Sequence, residues 1–163
     1  MKIIYVIYTV IIVMLLYQYM IYRVFGIPDS ISQTWYLLNR GNNKHGVYFQ
    51  FLLLVLGAFL WAMYPITTHE YSYLFILAGM GAVFVGMATK FKDKIEGIAH
   101  YGGAIILIFG TTLAQYFVFG HTFPLSLLGI GLPILISNLP HRIYWYEVYA
   151  FAVLMVDFVR AFT

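Results

Sequence analysis

Apolar stretches of membrane-spanning length, separated by short polar segments, occupy most of this 163-residue chain. Of its residues, 63% are apolar and only 9% are charged, whereas ordinary soluble domains have roughly 45–50% apolar and about 25% charged residues. A soluble protein could not bury this much apolar surface. We therefore expect an all-α, polytopic transmembrane helix bundle that forms one integral membrane domain over residues 1–163.

The hydropathy pattern predicts six transmembrane helices, with five as the alternative. A helix needs about 20 apolar residues to cross a bilayer. The fifth stretch is short and contains Pro133, so it either crosses by thinning the bilayer or forms a broken, re-entrant element. The predicted spans are Ile3–Phe25, Val47–Ile66, Ser72–Thr89, Ile98–Phe119, Pro124–Leu139 and Ile143–Phe162.

A short amphipathic helix is predicted at residues 30–40, after the first span. Ser30 and Gln33 have the spacing of a capping box, which starts a helix. Apolar side chains then recur at i, i+4 and i+7, which places them on one helix face. A helix of this kind is expected to lie in the headgroup layer of the membrane. The residues of its apolar face are Ile31, Trp35 and Leu38.

The Lys and Arg residues predict the orientation in the membrane. With six spans, one side carries seven of them and the other carries only Lys2 and Arg160. The positive-inside rule places the richer side in the cytoplasm, which puts both termini outside an inner (cytoplasmic) membrane. Because topology explains the positive charge, we expect no nucleic-acid partner. The seven residues are Arg23, Arg40, Lys44, Lys90, Lys92, Lys94 and Arg142.

Ionisable and polar residues inside the predicted spans are the candidates for a polar bundle interior, because such groups are costly in lipid and commonly functional. Asp157 either pairs with Arg160 at i, i+3 or marks a site. Glu96 and His100 are either a proton or metal pair, or a helix-start carboxylate beside a packed histidine. The full candidate set is Glu96, His100, Thr111, Gln115, Glu147, Asp157 and Arg160.

Two further residue sets suggest a metal site and a packing face. His69, Glu70 and His121 lie on predicted outer loops, above Asp157, and all four are acceptable zinc ligands. No spacing motif joins them, so no cofactor is predicted and zinc is the alternative. Small residues at four-residue spacing in the third span let another helix approach closely, which suggests a homo-oligomer or another membrane protein as partner. These residues are Ala78, Ala82 and Gly86.

Two resemblances rest on short stretches of sequence. Residues 28–36 and His100–Ala104 resemble small uncharacterised multi-spanning membrane proteins of bacteria and their phages, which imply no activity. Glu96-x-x-x-His100 distantly resembles the Ser-x-x-x-His element of ceramidase and adiponectin-receptor type membrane hydrolases, which implies a zinc-dependent lipid hydrolase. This chain has Glu in place of Ser and lacks the family's His-x-x-x-His pair and seventh span.

Three functions remain open from the sequence. No catalytic motif is present, and the chain has no cysteine for a thiolate metal site or nucleophile. The leading hypothesis is therefore non-enzymatic: a small membrane protein of transport, channel-like or accessory type. The alternatives are a membrane-embedded metal-dependent lipid hydrolase and a structural or lysis-linked phage-type membrane protein.

Overall fold

The computed structural model describes residues 3–40, 45–89 and 94–163. Four of the charges that predict the topology, Lys2, Lys44, Lys90 and Lys92, lie outside these residues. Within the described ranges the chain forms seven α-helices and no strand, which confirms the all-α prediction. The helices are α1 (Ile3–Phe25), α2 (Thr34–Leu38), α3 (Val47–Thr67), α4 (Tyr73–Met87), α5 (Lys94–Phe119), α6 (Phe123–Ile136) and α7 (Arg142–Phe162).

Three of these helices, α1, α3 and α5, are long and apolar enough to cross a membrane. The apolar helices α4 and α6 have 15 and 14 residues, which makes them about 22 and 21 Å long at 1.5 Å per residue, short of a hydrocarbon core of about 30 Å. Helix α7 has 21 residues, but every 18-residue stretch of it contains three charged side chains. By length and composition, the prediction of six spans and the alternative of five are therefore both wrong for the described helices.

The chain divides into two compact units. Unit 1 comprises Met1–Gly46 and Thr122–Thr163, and unit 2 comprises Val47–His121. In unit 1, α7 packs against both α6 and α1. In unit 2, α4 packs against both α3 and α5, so α4 is the central helix of this unit.

The small residues of α4 are buried inside unit 2. Ala78 and Ala82 are fully buried and Gly86 is buried. A Cβ added to Gly86 would lie 3.2 Å from the Cβ of Leu53 on α3, and one added to Gly110 on α5 would lie 3.2 Å from the Cβ of Ala78. The predicted packing face therefore contacts helices of the same chain and is not available to a second copy. Oligomerisation stays a prediction without an assigned surface.

The predicted amphipathic helix is shorter than expected, and of the three side chains of its apolar face two are buried and Trp35 is half-buried. Helix α2 has five residues and follows a turn in which the Ser30 hydroxyl accepts the Gln33 N–H at 3.1 Å. The Gln33 side chain bonds to Asp29 instead of completing the capping box with Ser30. Ile31 and Leu38 are buried at 5% and 7% exposure. Ile31 and Leu38 therefore pack mainly against protein and do not form the membrane-facing surface that the sequence predicts.

Candidate functional site

The segment between α1 and α2 folds back onto the beginning of α7. Gly26 ends α1 in a left-handed conformation, φ 75°, which glycine adopts without steric cost. The chain then reaches Asp29, whose backbone carbonyl accepts the N–H of Tyr144 at 3.1 Å. This bond joins the first quarter of the sequence to the last helix of unit 1.

A carboxylate on α7 makes the second connection. Glu147 Oε2 accepts the backbone N–H of Ile31 at 2.5 Å, and the two residues are 116 positions apart in sequence. The Glu147 side chain is half-buried, so the bond satisfies two polar groups that would be costly to leave unpaired away from water. We call the group Asp29, Ile31, Gln33, His141 and Glu147 the α7 junction.

His141 makes the third connection and is held in an unusual conformation. Its φ is 56°, in the left-handed region that few non-glycine residues adopt. Its Nδ1 lies 3.0 Å from Asp29 Oδ1, where a protonated ring nitrogen donates to the carboxylate. Gln33 fixes the other side of Asp29, because its Oε1 accepts the Asp29 N–H at 2.6 Å and its Nε2 donates to Oδ2 at 2.9 Å.

Hydrogen bonds from α1 extend the junction. Tyr144 donates its hydroxyl to Gln18 Oε1 at 3.2 Å. The Tyr17 hydroxyl lies 2.5 Å from Thr34 Oγ1, and Thr34 in turn donates to the Ile31 carbonyl at 2.6 Å. The Gln18 Nε2 atom is buried and has no hydrogen-bond partner within the described ranges. The network therefore ends on α1 at a buried amide donor.

The α7 junction carries a carboxylate–imidazole pair and a second carboxylate. Asp29 and His141 are both solvent-accessible, with side-chain exposures of 71% and 34%. Exposed ion pairs contribute little to stability, about 0–1 kcal/mol. The connection between the segment and α7 therefore depends mainly on the Glu147 and Tyr144 contacts.

The predicted polar residues of α5 lie in the interior of the protein. His100, Thr111 and Gln115 are 2%, 2% and 0% exposed. The His100 Nδ1 lies 3.0 Å from the carbonyl of Ala88, just after α4, and the Thr111 hydroxyl donates to the Leu107 carbonyl at 2.7 Å. Glu96 is half-buried in the first turn of α5. The described bonds of His100 and Thr111 are contacts with the backbone of unit 2.

The two predicted residues near the end of α7 have opposite environments. Asp157 is fully buried, at 0% exposure, and Arg160 is exposed. The Arg160 guanidinium lies 5.1 Å from the centroid of the Phe123 ring, a cation–π distance. The structure therefore places an ionisable side chain inside the protein and a cation at its surface, one turn apart on the same helix.

The predicted metal ligands have separate surroundings. His69 and Glu70 are exposed in the turn between α3 and α4, where His69 Nδ1 accepts the Tyr71 N–H at 3.3 Å. The His121 ring stacks near Phe119 at 5.8 Å between centroids. Among the residues that the structure describes, no three His, Asp or Glu side chains form a group that could hold a metal ion.

The sequence did not single out Asp29 or Gln33 as site residues, and it grouped His141 with Glu147, Glu96 and His100 rather than with Asp29. The available signal was local, since Asp29 and His141 each follow a proline, Pro28 and Pro140, and thus mark turns. It gave no indication that these two turns meet. No protein-family model, curated protein or solved structure matches the chain.

Proposed function

We propose that this chain is a small integral membrane protein of transport, channel-like or accessory type with a polar interior. The observation that carries the proposal is the complete burial of Asp157 in a chain with three helices of membrane-spanning length and apolarity. Burying an ionisable carboxyl is costly, so such groups in membrane proteins commonly serve a transported ion, a proton or a partner. Within unit 2, His100 and Gln115 are likewise buried polar side chains.

Proton or cation flux tests the transport form of this proposal. Purified protein is reconstituted into vesicles that contain a pH-sensitive dye, and a potassium diffusion potential is imposed. We expect the wild type to accelerate proton entry and Asp157→Asn to reduce it to the rate of empty vesicles. The exposed residue Glu70 provides the matched control, since Glu70→Gln also removes one carboxylate and is expected to leave the flux unchanged.

The outcomes of the flux experiment separate the forms of the proposal. Equal flux from wild type and Asp157→Asn would remove Asp157 from the conducting path. No flux from a wild type that retains its helical content by circular dichroism would contradict transport of protons and favour the accessory form. A variant that loses helical content is replaced by Asp157→Glu, which keeps the charge and is expected to retain flux.

We further propose that the basic segment before α5 faces the cytoplasm. Lys94 is exposed at the beginning of α5, and the preceding residues add Lys90 and Lys92, which the positive-inside rule places in the cytoplasm. Helix α5 has 26 residues and is about 39 Å long, so its two ends lie on opposite sides of a bilayer of about 30 Å.

Single-cysteine labelling tests this orientation directly, because the chain has no native cysteine. In spheroplasts, His121→Cys is expected to react with a membrane-impermeant maleimide, and Lys94→Cys is expected to react only after permeabilisation. The reversed pattern would contradict the proposed orientation. Labelling of both positions from the same side would show that α5 does not cross the membrane.

A further inference from the structure

A largely apolar groove runs between α1 and α7 within unit 1. Its volume is about 370 Å³, which is in the range of small-ligand sites, about 300–1,000 Å³. Its walls consist of long aliphatic and aromatic side chains, with Ile11, Met14 and Leu15 on α1 and Phe151, Met155 and Val159 on α7. A ligand in this groove must therefore be mainly hydrocarbon.

The two helices that form the groove run antiparallel. Tyr144, near the beginning of α7, bonds to Gln18 in the second half of α1, whereas Val159 lines the groove together with Ile11. On α7 the groove extends from Val148 to Arg160, which is about 18 Å at 1.5 Å per residue. This length is slightly more than half of a hydrocarbon core of about 30 Å, so it corresponds to the depth of one lipid leaflet.

The two ends of the groove differ in polarity from its walls. Arg160 is at one end, exposed and with its guanidinium against the Phe123 ring. A guanidinium offers five N–H donors and binds phosphate in a bidentate manner. At the other end, Gln18 of α1 and Ile31 of the α7 junction line the groove, and the Gln18 Nε2 atom is buried. The groove thus has an anion-binding group at one end, apolar walls, and a polar side chain at the other end.

We propose that this groove binds an anionic phospholipid, with one acyl chain along α1 and α7 and the phosphate at Arg160. The surroundings support this ligand, since α1 is one of the three helices suited to a membrane, where phospholipids are the prevailing amphiphiles. The apolar walls match an acyl chain, and the Arg160 cation that lines the end of the groove matches an anionic headgroup. Asp157 does not line the groove, so no carboxylate of α7 opposes the phosphate from its wall.

Native mass spectrometry of lipid-stripped protein tests the headgroup contact. The protein is titrated with phosphatidylglycerol and, separately, with phosphatidylcholine that has the same acyl chains. We expect the wild type to bind phosphatidylglycerol about tenfold more tightly, as a charge-assisted hydrogen-bonded contact provides. Arg160→Gln is expected to lose this preference and Arg160→Lys to retain most of it.

Arg142 supplies the control for charge, because it lies on the same helix at the opposite end and does not line the groove. Arg142→Gln removes the same unit of charge and is expected to keep the preference for phosphatidylglycerol. An equal loss in Arg142→Gln and Arg160→Gln would overturn the proposal in favour of general charge attraction. An unchanged preference in Arg160→Gln, or no preference in the wild type, would also overturn it.

A blocked groove tests the acyl-chain contact. Ala152 lines the groove and is exposed, so Ala152→Trp fills the space without replacing a buried side chain. We expect weaker binding of both lipids, by about tenfold or more, since the acyl chain loses its apolar contacts. Leu16→Trp on the exposed, non-lining face of α1 is the control and is expected to bind as the wild type does. Unchanged binding by Ala152→Trp would exclude the groove as the site.

Discussion

The bond between Glu147 and the Ile31 N–H is the contact of the α7 junction whose loss should be most costly. It is 2.5 Å long and joins residues 116 positions apart. Its acceptor is half-buried and its donor residue is buried, in contrast to the exposed pair of Asp29 and His141. The cost of losing a hydrogen-bond partner falls on the group that stays buried, which here is the backbone amide of Ile31.

Replacing Glu147 by alanine should therefore destabilise the protein by about 1–3 kcal/mol, the usual cost of a buried donor left without an acceptor. Glu147→Gln keeps an oxygen in place and should cost less than half as much. Thermal unfolding in detergent, followed by circular dichroism, measures both variants. The same replacement at the exposed residue Glu70 is the control and should change little. Equal unfolding temperatures for Glu147→Ala and Glu147→Gln would show that the hydrogen bond does not stabilise the protein.

The stability of variants at His141 should depend on how readily the new residue adopts the left-handed backbone conformation. With φ at 56°, the residue lies in the left-handed region, which asparagine and glycine enter readily and β-branched residues avoid. We expect His141→Asn to unfold near the wild-type temperature and His141→Val to be less stable by about 1–2 kcal/mol. Asp29→Asn removes the partner charge without changing this backbone and separates the two effects. If His141→Val were as stable as His141→Asn, the conformation of the loop would not depend on this residue.

At the scale of helices, unit 2 depends on close contact of α4 with its two neighbours. Gly79 on α4 faces Gly57 on α3, where an added Cβ would lie 2.9 Å from the Gly57 carbonyl oxygen. Gly81 faces α5, where an added Cβ would lie 2.6 Å from the carbonyl oxygen of Gly103 and 2.5 Å from the backbone nitrogen of Leu107. Small residues allow this backbone contact, which is a common means of helix association in membranes.

Two adjacent glycines of α5 allow a matched test of this packing. A Cβ on Gly103 would lie 2.8 Å from the Cβ of Phe84 and 2.9 Å from the Gly81 carbonyl oxygen, whereas a Cβ on Gly102 would meet nothing within 4 Å. We expect Gly103→Ala to cost about 1–3 kcal/mol, as overpacking does, and Gly102→Ala to be neutral or slightly stabilising through its higher helix propensity. Thermal unfolding compares them. Equal stability of the two variants would contradict the close α4–α5 contact.

Hydropathy predicted where the helices lie but not how many have membrane-spanning character. The predicted Ile3–Phe25 is found unchanged as α1, and the predicted Ile143–Phe162 differs from α7 by one residue. A long apolar segment forms a helix in a membrane because its backbone N–H and C=O groups must be paired within the segment. A helix that crosses a membrane must also be long enough and carry few charges. Helices α4 and α6 are too short, and α7 carries too many charged residues.

At the scale of the whole molecule, the site was less predictable than the fold. Local patterns placed His100, Thr111 and Gln115 on one face of a helix, and the structure buries all three. The α7 junction is formed by hydrogen bonds between residues 112 and 116 positions apart. Periodicity operates over a few turns of one helix, so it has no bearing on which distant turns meet. The contacts that define the junction had to come from the structure.

The division into two units predicts that a destabilising substitution in one unit increases local opening in that unit and not in the other. Elements with their own packing open separately in native-state hydrogen exchange, and here α3, α4 and α5 form one unit while α1, α6 and α7 belong to the other. Gly103→Ala should therefore speed amide exchange in α3–α5 and leave α6 and α7 close to the wild-type rate. Glu147→Ala should have the opposite pattern, with faster exchange in unit 1. Hydrogen exchange with mass spectrometry in detergent measures both variants against Gly102→Ala. Faster exchange of all helices in either variant would show that the two units unfold together, because a defect in one would then lower the free energy of unfolding of the other.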